Sequence, residues 1–306
     1  MPEAASSPAR RAWRRFLRNR AALIGALVLV GILLAALVGP WISSHDPNRA
    51  SDFAFATPGA THWFGTDLHG RDLLTRTLVG ARISLLVGLT GAAVSVIIGV
   101  TWGLVAAYSG GRVDAILMRT VDILYALPNI IFVMLVIGLT ETLLIRWLQA
   151  VAPSFAGSAR LLLLFACLGA VSWLNMARIV RGQVLSLRHR PFILASQGLG
   201  APAGFILRRH LLPNVLGVVI VYATLTVPSV ILYESFLSFL GLGIRPPDAS
   251  LGTLIEDGAR QLNPIQIRWW LLAFPAGFLA ITLLALHHLG DGLRDALDPR
   301  SDPSSS

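Results

Sequence analysis

Histidine and aspartate side chains that could bind a metal are concentrated in one polar stretch, His62-Trp-Phe-Gly-Thr-Asp-Leu-His-Gly-Arg-Asp72. Imidazole nitrogens and carboxylate oxygens are common zinc ligands, but compact zinc sites place them at short, regular separations. The separations of His62, His69 and the acids fit no such pattern. We therefore predict local structural pairs among Asp67, Arg71 and Asp72, and no metal site.

The other histidines offer no catalytic cluster. His287 and His288 are adjacent, so on a helix they do not share a face and would chelate a metal poorly. We predict that they are polar anchors at the level of the lipid headgroups. A membrane enzyme needs a clustered His/Asp/Glu site, whereas the seven histidines are scattered along the chain. The sequence therefore predicts no catalytic residue and no enzyme.

Two acids lie inside or beside long apolar runs. Glu234 falls within the run 215–240, where an acid is costly unless it is paired or faces a water-filled cavity. Two interpretations stay open: a residue of a translocation path or gate, and an interfacial residue near the outer end of the run. Asp122 can pair with Arg119 at helical spacing, with a proton relay as the alternative.

All 25 basic residues are arginine, because the sequence contains no lysine. A Walker A nucleotide site and a Schiff-base site both require lysine, so this chain can carry neither. If transport here uses ATP, another chain must hydrolyse it. The single cysteine, Cys167, cannot form an intramolecular disulfide, and we predict a small core residue.

The composition is that of a membrane protein: 55% hydrophobic residues, 13% charged residues and a mean hydropathy of +0.68. Soluble domains have about 25% charged residues. A span needs about 20 apolar residues. We predict an all-α integral membrane protein with six transmembrane helices, at about 21–42, 84–108, 119–140, 161–181, 213–240 and 269–289.

Arginine distribution predicts the orientation. The segment 1–20 reads as an amphipathic helix on cytoplasmic headgroups, a nucleic-acid arm being the alternative. With both termini inside, sixteen arginines fall on the cytoplasmic side and nine outside, a moderate positive-inside bias. The membrane domain is then 21–290 and the cytoplasmic tail 291–306. The segments 141–160 and 241–268 lie outside, and prolines and glycines in the latter exclude a long helix.

The segment 192–213 is partly basic and lies between two very apolar runs. It predicts two short helices around a bend at Gly200, since glycine adopts left-handed backbone angles easily. Arg208 and Arg209 face away from the apolar side of the second helix, and Leu212-Pro213 closes the unit. Such a hairpin is suited to contact a partner, and an ordinary basic loop is the alternative.

This segment resembles the "EAA" coupling loop of bacterial ABC-importer permeases. Leu194 stands where that motif has its opening Glu. The 62–72 stretch resembles the F-G-T-D-x-x-G-R-D signature of the "C" permease of peptide importers. Matching positions in the coupling loop are Ala195, Ser196, Gly200, Leu212 and Pro213, and further resemblance to that permease lies in 171–183, 213–219, 234–243 and 290–299.

The resemblance implies a type I ABC-importer permease fold and import of peptides, most typically oligopeptides, across the bacterial inner membrane by alternating access. It implies a second "B"-type permease subunit, two ATPase subunits that bind ATP and magnesium, and an external solute-binding protein. Dipeptides, glutathione or nickel complexes are alternative substrates, and an ion-coupled secondary transporter is the alternative class. The implied ATPase-coupling residues are Ala195, Ser196, Gln197, Gly200, Ala201, Arg208, Arg209, Leu212 and Pro213.

Overall fold

The computed structural model describes residues 8–244 and 248–297. The predicted features at 1–7, 245–247 and 298–306 lie outside the described residues. The helices are α1 Pro8–Arg18, α2 Arg20–Ile42, α3 Leu73–Ser109, α4 Gly111–Tyr125, α5 Asn129–Val151, α6 Ala159–Leu187, α7 Pro191–Gly198, α8 Ala203–Phe239, α9 Leu251–Arg260 and α10 Trp270–Leu297.

Six of these helices, α2, α3, α5, α6, α8 and α10, are long and apolar enough to cross a membrane. The predicted all-α architecture with six such helices is confirmed. Helix α2 begins at an Asn19 cap, whose side chain accepts a hydrogen bond from the Ala22 N–H at 3.1 Å.

Helix α3 begins eleven residues before the second predicted span, at Leu73 rather than 84. Its start is set by Asp72, whose carboxylate accepts a hydrogen bond from the Thr75 N–H at 2.8 Å. Arg76 and Arg82 lie ahead of the second predicted span and therefore belong to the first turns of α3. Arg76 is buried against Asp67.

The third predicted span, 119–140, was wrong because the helix is interrupted inside it. Helix α4 ends at Tyr125 and α5 begins at Asn129, since Pro128 has no N–H to donate and disfavours helix at the residue before it. Helix α5 then runs on to Val151, followed by a 3-10 turn at Pro153–Ser158. Most of the predicted external loop 141–160 is therefore helical.

Helix α8 corrects the predicted closure at Leu212-Pro213. The second hairpin helix and the fifth span form one helix of 37 residues, Ala203–Phe239. Helix α10 likewise continues to Leu297, so the predicted tail from 291 begins as helix. The predicted external segment 241–268 contains a ten-residue helix, α9, which starts with a capping box between Ser250 and Thr253.

Helix α3 is the centre of the bundle and packs closely against α6 and α8. A side chain at Gly103 would place its Cβ 2.6 Å from the Ala177 carbonyl oxygen and 2.9 Å from the Val180 Cβ. Gly99 lies equally close to Met176. These two glycines therefore have a packing role, because small residues let helix backbones approach each other.

Candidate functional site: an exposed hairpin and a buried glutamate

The hairpin 191–213 bends where the sequence predicts it. Gly200 has a φ of +78°, in the left-handed region that favours glycine. The end of α7 is closed by hydrogen bonds from the Leu199 N–H to the Ala195 carbonyl at 3.0 Å and from the Ala201 N–H to the Ser196 carbonyl at 3.1 Å. These bonds fix the angle at which the chain turns from α7 towards Pro202.

One side of the hairpin is anchored in the bundle. Ile193, Ile206 and Leu211 are fully buried and belong to one apolar cluster with Val184 of α6 and Leu104 of α3. Fully burying one aliphatic side chain of this size contributes roughly 1.5–3 kcal/mol to the free energy of folding. The hairpin base is therefore held to two long helices.

The opposite side of the hairpin is exposed. Leu199, at the tip, is 88% exposed and Phe205 is 50% exposed. Arg208 and Arg209 are also exposed and line a shallow surface pocket beside Phe205. The exposed side thus combines apolar groups with two positive charges, a composition suited to a protein partner.

The residues of the predicted coupling set lie along this one structure. Most are exposed, and Ser196, Ala201 and Leu212 are half-buried. Leu194, in place of the motif glutamate, is 50% exposed. The whole set is Ala195, Ser196 and Gln197 in α7, Gly200 and Ala201 in the bend, and Arg208, Arg209, Leu212 and Pro213 in α8.

Within α8, a π-helical turn at Leu207–Leu211 connects the second arm of the hairpin to the long apolar part of the helix. Pro213 cannot donate the backbone hydrogen bond that a regular helix requires. The side-chain amide of Asn214 donates to the His210 carbonyl at 2.7 Å. The wider turn ends two residues before Pro213, and the helix continues through this proline, which the sequence suggested as a stop.

Ion pairs between α4 and α6 lie near the hairpin base. Asp114 accepts two hydrogen bonds from Arg181, at 2.6 and 2.7 Å. Hydrogen bonding to the Arg181 guanidinium holds the pKa of Asp114 below its ordinary value. Asp122 pairs with Arg178 at 2.8 Å, which corrects its predicted pairing with Arg119. The partners are separated by 56 positions in one pair and by 67 in the other. A single sequence carries no local pattern that could predict such pairs.

Glu234 is fully buried inside the bundle, five residues before the end of α8. Its carboxylate accepts hydrogen bonds from Ser238 at 2.7 Å and from Ser84 of α3 at 3.2 Å. The Ser84 hydroxyl in turn accepts from the Leu251 N–H at 3.2 Å. The network joins α3, α8 and the start of α9, and the Ser250 hydroxyl lies 3.4 Å from that of Ser238.

Of the predicted local pairs in the 62–72 stretch, that of Arg71 with Asp67 is confirmed, whereas Asp72 pairs with His62. The Arg71 Nε lies 2.7 Å from the Asp67 Oδ2, and the His62 Nδ1 lies 2.9 Å from the Asp72 Oδ1. Together with α9 and the start of α10, this stretch covers the end of the bundle opposite the hairpin. Trp270, for example, packs with Leu73 in one apolar cluster.

Comparison with known proteins decides the family. Residues 99–303, which include the hairpin and Glu234, match the model of the family "Binding-protein-dependent transport system inner membrane component". The chain belongs to this family. Residues 7–58 match a second model, the "N-terminal TM domain of oligopeptide transport permease C". The chain is accordingly a multi-pass inner membrane protein.

Individual members of this family are similar over nearly the whole chain. The oligopeptide transport system permease protein OppC of Escherichia coli is 47% identical over 94% of this chain and 89% of its own length. The dipeptide transport system permease protein DppC of Bacillus subtilis is 44% identical over 94% of this chain and 85% of its own length. The resemblance noted in the coupling loop thus extends to the complete membrane domain.

Proposed function

We propose that this chain is one permease subunit of an ATP-driven importer that translocates peptides by alternating access. Relatives named as oligopeptide and dipeptide permeases support the substrate class. We propose as partners a second permease subunit, two ATPase subunits and an external solute-binding protein. ATP and magnesium bind to the ATPases in this proposal, which fits the absence of lysine from the chain.

The observation that carries the proposal is the hairpin, with a buried base and an exposed tip. A partner that moves the tip also moves the base, because Ile193, Ile206 and Leu211 are packed among α3 and α6. The same movement enters α8 directly through Leu207–Leu211. We infer that the set from Ala195 to Pro213 transmits closure of the ATPases to the membrane helices.

Glu234 enters this mechanism through its hydrogen bonds, which connect three helices. It joins α8 to α3 and α9 at the end of the bundle opposite the hairpin. We propose that rearrangement of this network accompanies opening of the translocation path. A carboxylate surrounded by hydroxyl groups can exchange partners at lower cost than one locked to an arginine.

The central experiment measures peptide uptake by cells that carry or lack the gene. Labelled peptides of two to six residues are supplied, and uptake is compared after ATP depletion and after collapse of the proton gradient. We expect uptake to require both the gene and ATP, and the preferred length to separate oligopeptides from dipeptides. Uptake that survives ATP depletion but fails without the proton gradient would support a secondary transporter instead.

The proposed orientation has a separate test. A single cysteine is introduced at Leu199 or at Ile265, both nearly fully exposed at opposite ends of the bundle, in a Cys167→Ala background. We expect an impermeant maleimide to label position 265 in intact spheroplasts and position 199 only after permeabilisation. Labelling of position 199 from outside would contradict the coupling role.

A further inference from the structure

Three potential metal ligands lie together where α2, the segment 43–72 and α3 meet. One donor atom from each of His45, His62 and Asp72 lies within 4.8 Å of the others. The two imidazole rings are 4.6 Å apart between centroids, and the His62 Nδ1 is 2.9 Å from the Asp72 Oδ1. Both imidazoles are half-buried and the carboxylate is buried, so the cluster is enclosed and still accessible.

Hydrogen bonds around the cluster hold its members in place. The Asp72 Oδ2 accepts from both the N–H and the hydroxyl of Thr75, each at 2.8 Å, which leaves Oδ1 directed at His62. The Thr75 hydroxyl is also 2.8 Å from that of Ser43, which accepts from the His45 N–H at 3.1 Å. Outer groups that orient the ligands in this way are a common property of protein metal sites.

We propose that His45, His62 and Asp72 form a binding site for a divalent transition metal of the zinc class. Two imidazoles and one carboxylate form a frequent zinc ligand set that leaves a fourth position for water. Imidazole nitrogen favours such metals over calcium and magnesium, which prefer oxygen. The site is independent of the transported substrate.

The consequence of metal binding follows from where the ligands lie in the chain. His45 comes three residues after the end of α2, and Asp72 caps the start of α3. A bound metal fastens the first long helix to the central one. The spacing within the 62–72 stretch indicates no metal site, because the third ligand, His45, lies 17 residues before His62.

The test titrates the full-length protein, purified in detergent without an affinity tag, with Zn²⁺ against a chromogenic chelator. We expect one tight Zn²⁺ per chain, and a loss of affinity of about tenfold or more in His45→Ala and in His62→Ala. His69→Ala is the matched control, since His69 lies in the same segment but contacts Arg71 at 3.2 Å. This control should keep the wild-type affinity.

A second readout separates lost ligands from disturbed folding. Zn²⁺ should raise the thermal unfolding temperature of the wild-type protein and of His69→Ala, but not that of His45→Ala. Co²⁺ should give the visible absorption of a four-coordinate site in the wild-type protein and in His69→Ala, but not in His45→Ala. The proposal is overturned if the wild-type chain binds no stoichiometric Zn²⁺, or if His45→Ala/His62→Ala binds it equally well. Either result leaves an ordinary His62–Asp72 pair.

Discussion

At the scale of single residues, Glu234 is an ionisable group whose carboxylate accepts hydrogen bonds from serine hydroxyls. Glu234→Ala removes the acceptor of Ser84 and Ser238 and leaves both buried hydroxyls without it. We expect a loss of about 1–3 kcal/mol in stability and reduced uptake. Glu234→Gln keeps the size and one acceptor, so it should retain most of both.

Thermal unfolding of the purified chain and peptide uptake by cells provide the two measurements for this pair of variants. Wild-type stability combined with complete loss of uptake in Glu234→Gln would contradict a role through hydrogen bonding alone. That result would show that the carboxylate charge itself is required.

The Asp114–Arg181 pair predicts a pH dependence. Its hydrogen bonds lower the pKa of Asp114 below 3.8, so their stabilisation is complete above the ordinary pKa and is lost as pH falls through the lower folded value. Asp114→Asn should therefore cost roughly 1 kcal/mol from pH 5 to pH 8, and less below about pH 4. The measurement is thermal unfolding across this range.

Asp122→Asn is the matched control for that experiment. Its pair with Arg178 is more exposed, with side-chain exposures of 58% and 42%, and exposed pairs contribute little. We expect a smaller effect at every pH. Equal losses of stability in the two variants would show that the geometry of the Asp114–Arg181 pair does not contribute to stability.

At the scale of elements, the bend of the hairpin depends on Gly200. A side chain there meets open space, but its φ of +78° is strained for any other residue by roughly 1–2 kcal/mol. Gly200→Val should therefore shift the angle between α7 and α8, so that ATP hydrolysis continues while peptide uptake falls.

The matched control adds the same volume without the strain. Gly198 also faces open space, and its backbone lies in the helix α7. Gly198→Val should retain coupling, measured as peptide taken up per ATP hydrolysed. Undiminished uptake by Gly200→Val would count against the hairpin as the transmitting element.

The number of long helices could be predicted from sequence, but several of their ends could not. Hydropathy identifies the apolar middle of α3 and misses its start, because Asp72 and Arg76 are polar. Within the fold, Asp72 caps the helix and Arg76 lies beside Asp67. The bend at Gly200 follows from local chemistry. The continuation of the second hairpin arm into the rest of α8 does not, because Pro213 ordinarily indicates a stop.

At the scale of the whole molecule, stability depends on how closely α3 approaches its neighbours. Gly103→Ala forces its Cβ against the Ala177 carbonyl, a backbone atom that can yield only if α3 and α6 separate. Such overpacking typically costs about 1–3 kcal/mol. Thermal unfolding in detergent should show a clear decrease.

Gly138→Ala provides the contrast, since nothing lies within 4 Å of a Cβ at that position of α5. Removing a glycine from a helix interior should stabilise the chain by up to about 1 kcal/mol. The two variants should thus move the unfolding temperature in opposite directions. Similar decreases in both would contradict the assigned central position of α3.

The continuous helix from Ala203 to Phe239 connects the hairpin directly to the region of Glu234. At about 1.5 Å per residue, its 37 residues span about 55 Å, so a rotation of about 5° around one end sweeps the other through about 5 Å. In the proposed mechanism, a small displacement produced by the ATPases near Arg208 therefore becomes larger towards Glu234. The two points where the arm can flex are the wide turn at its root and Pro228, midway along it.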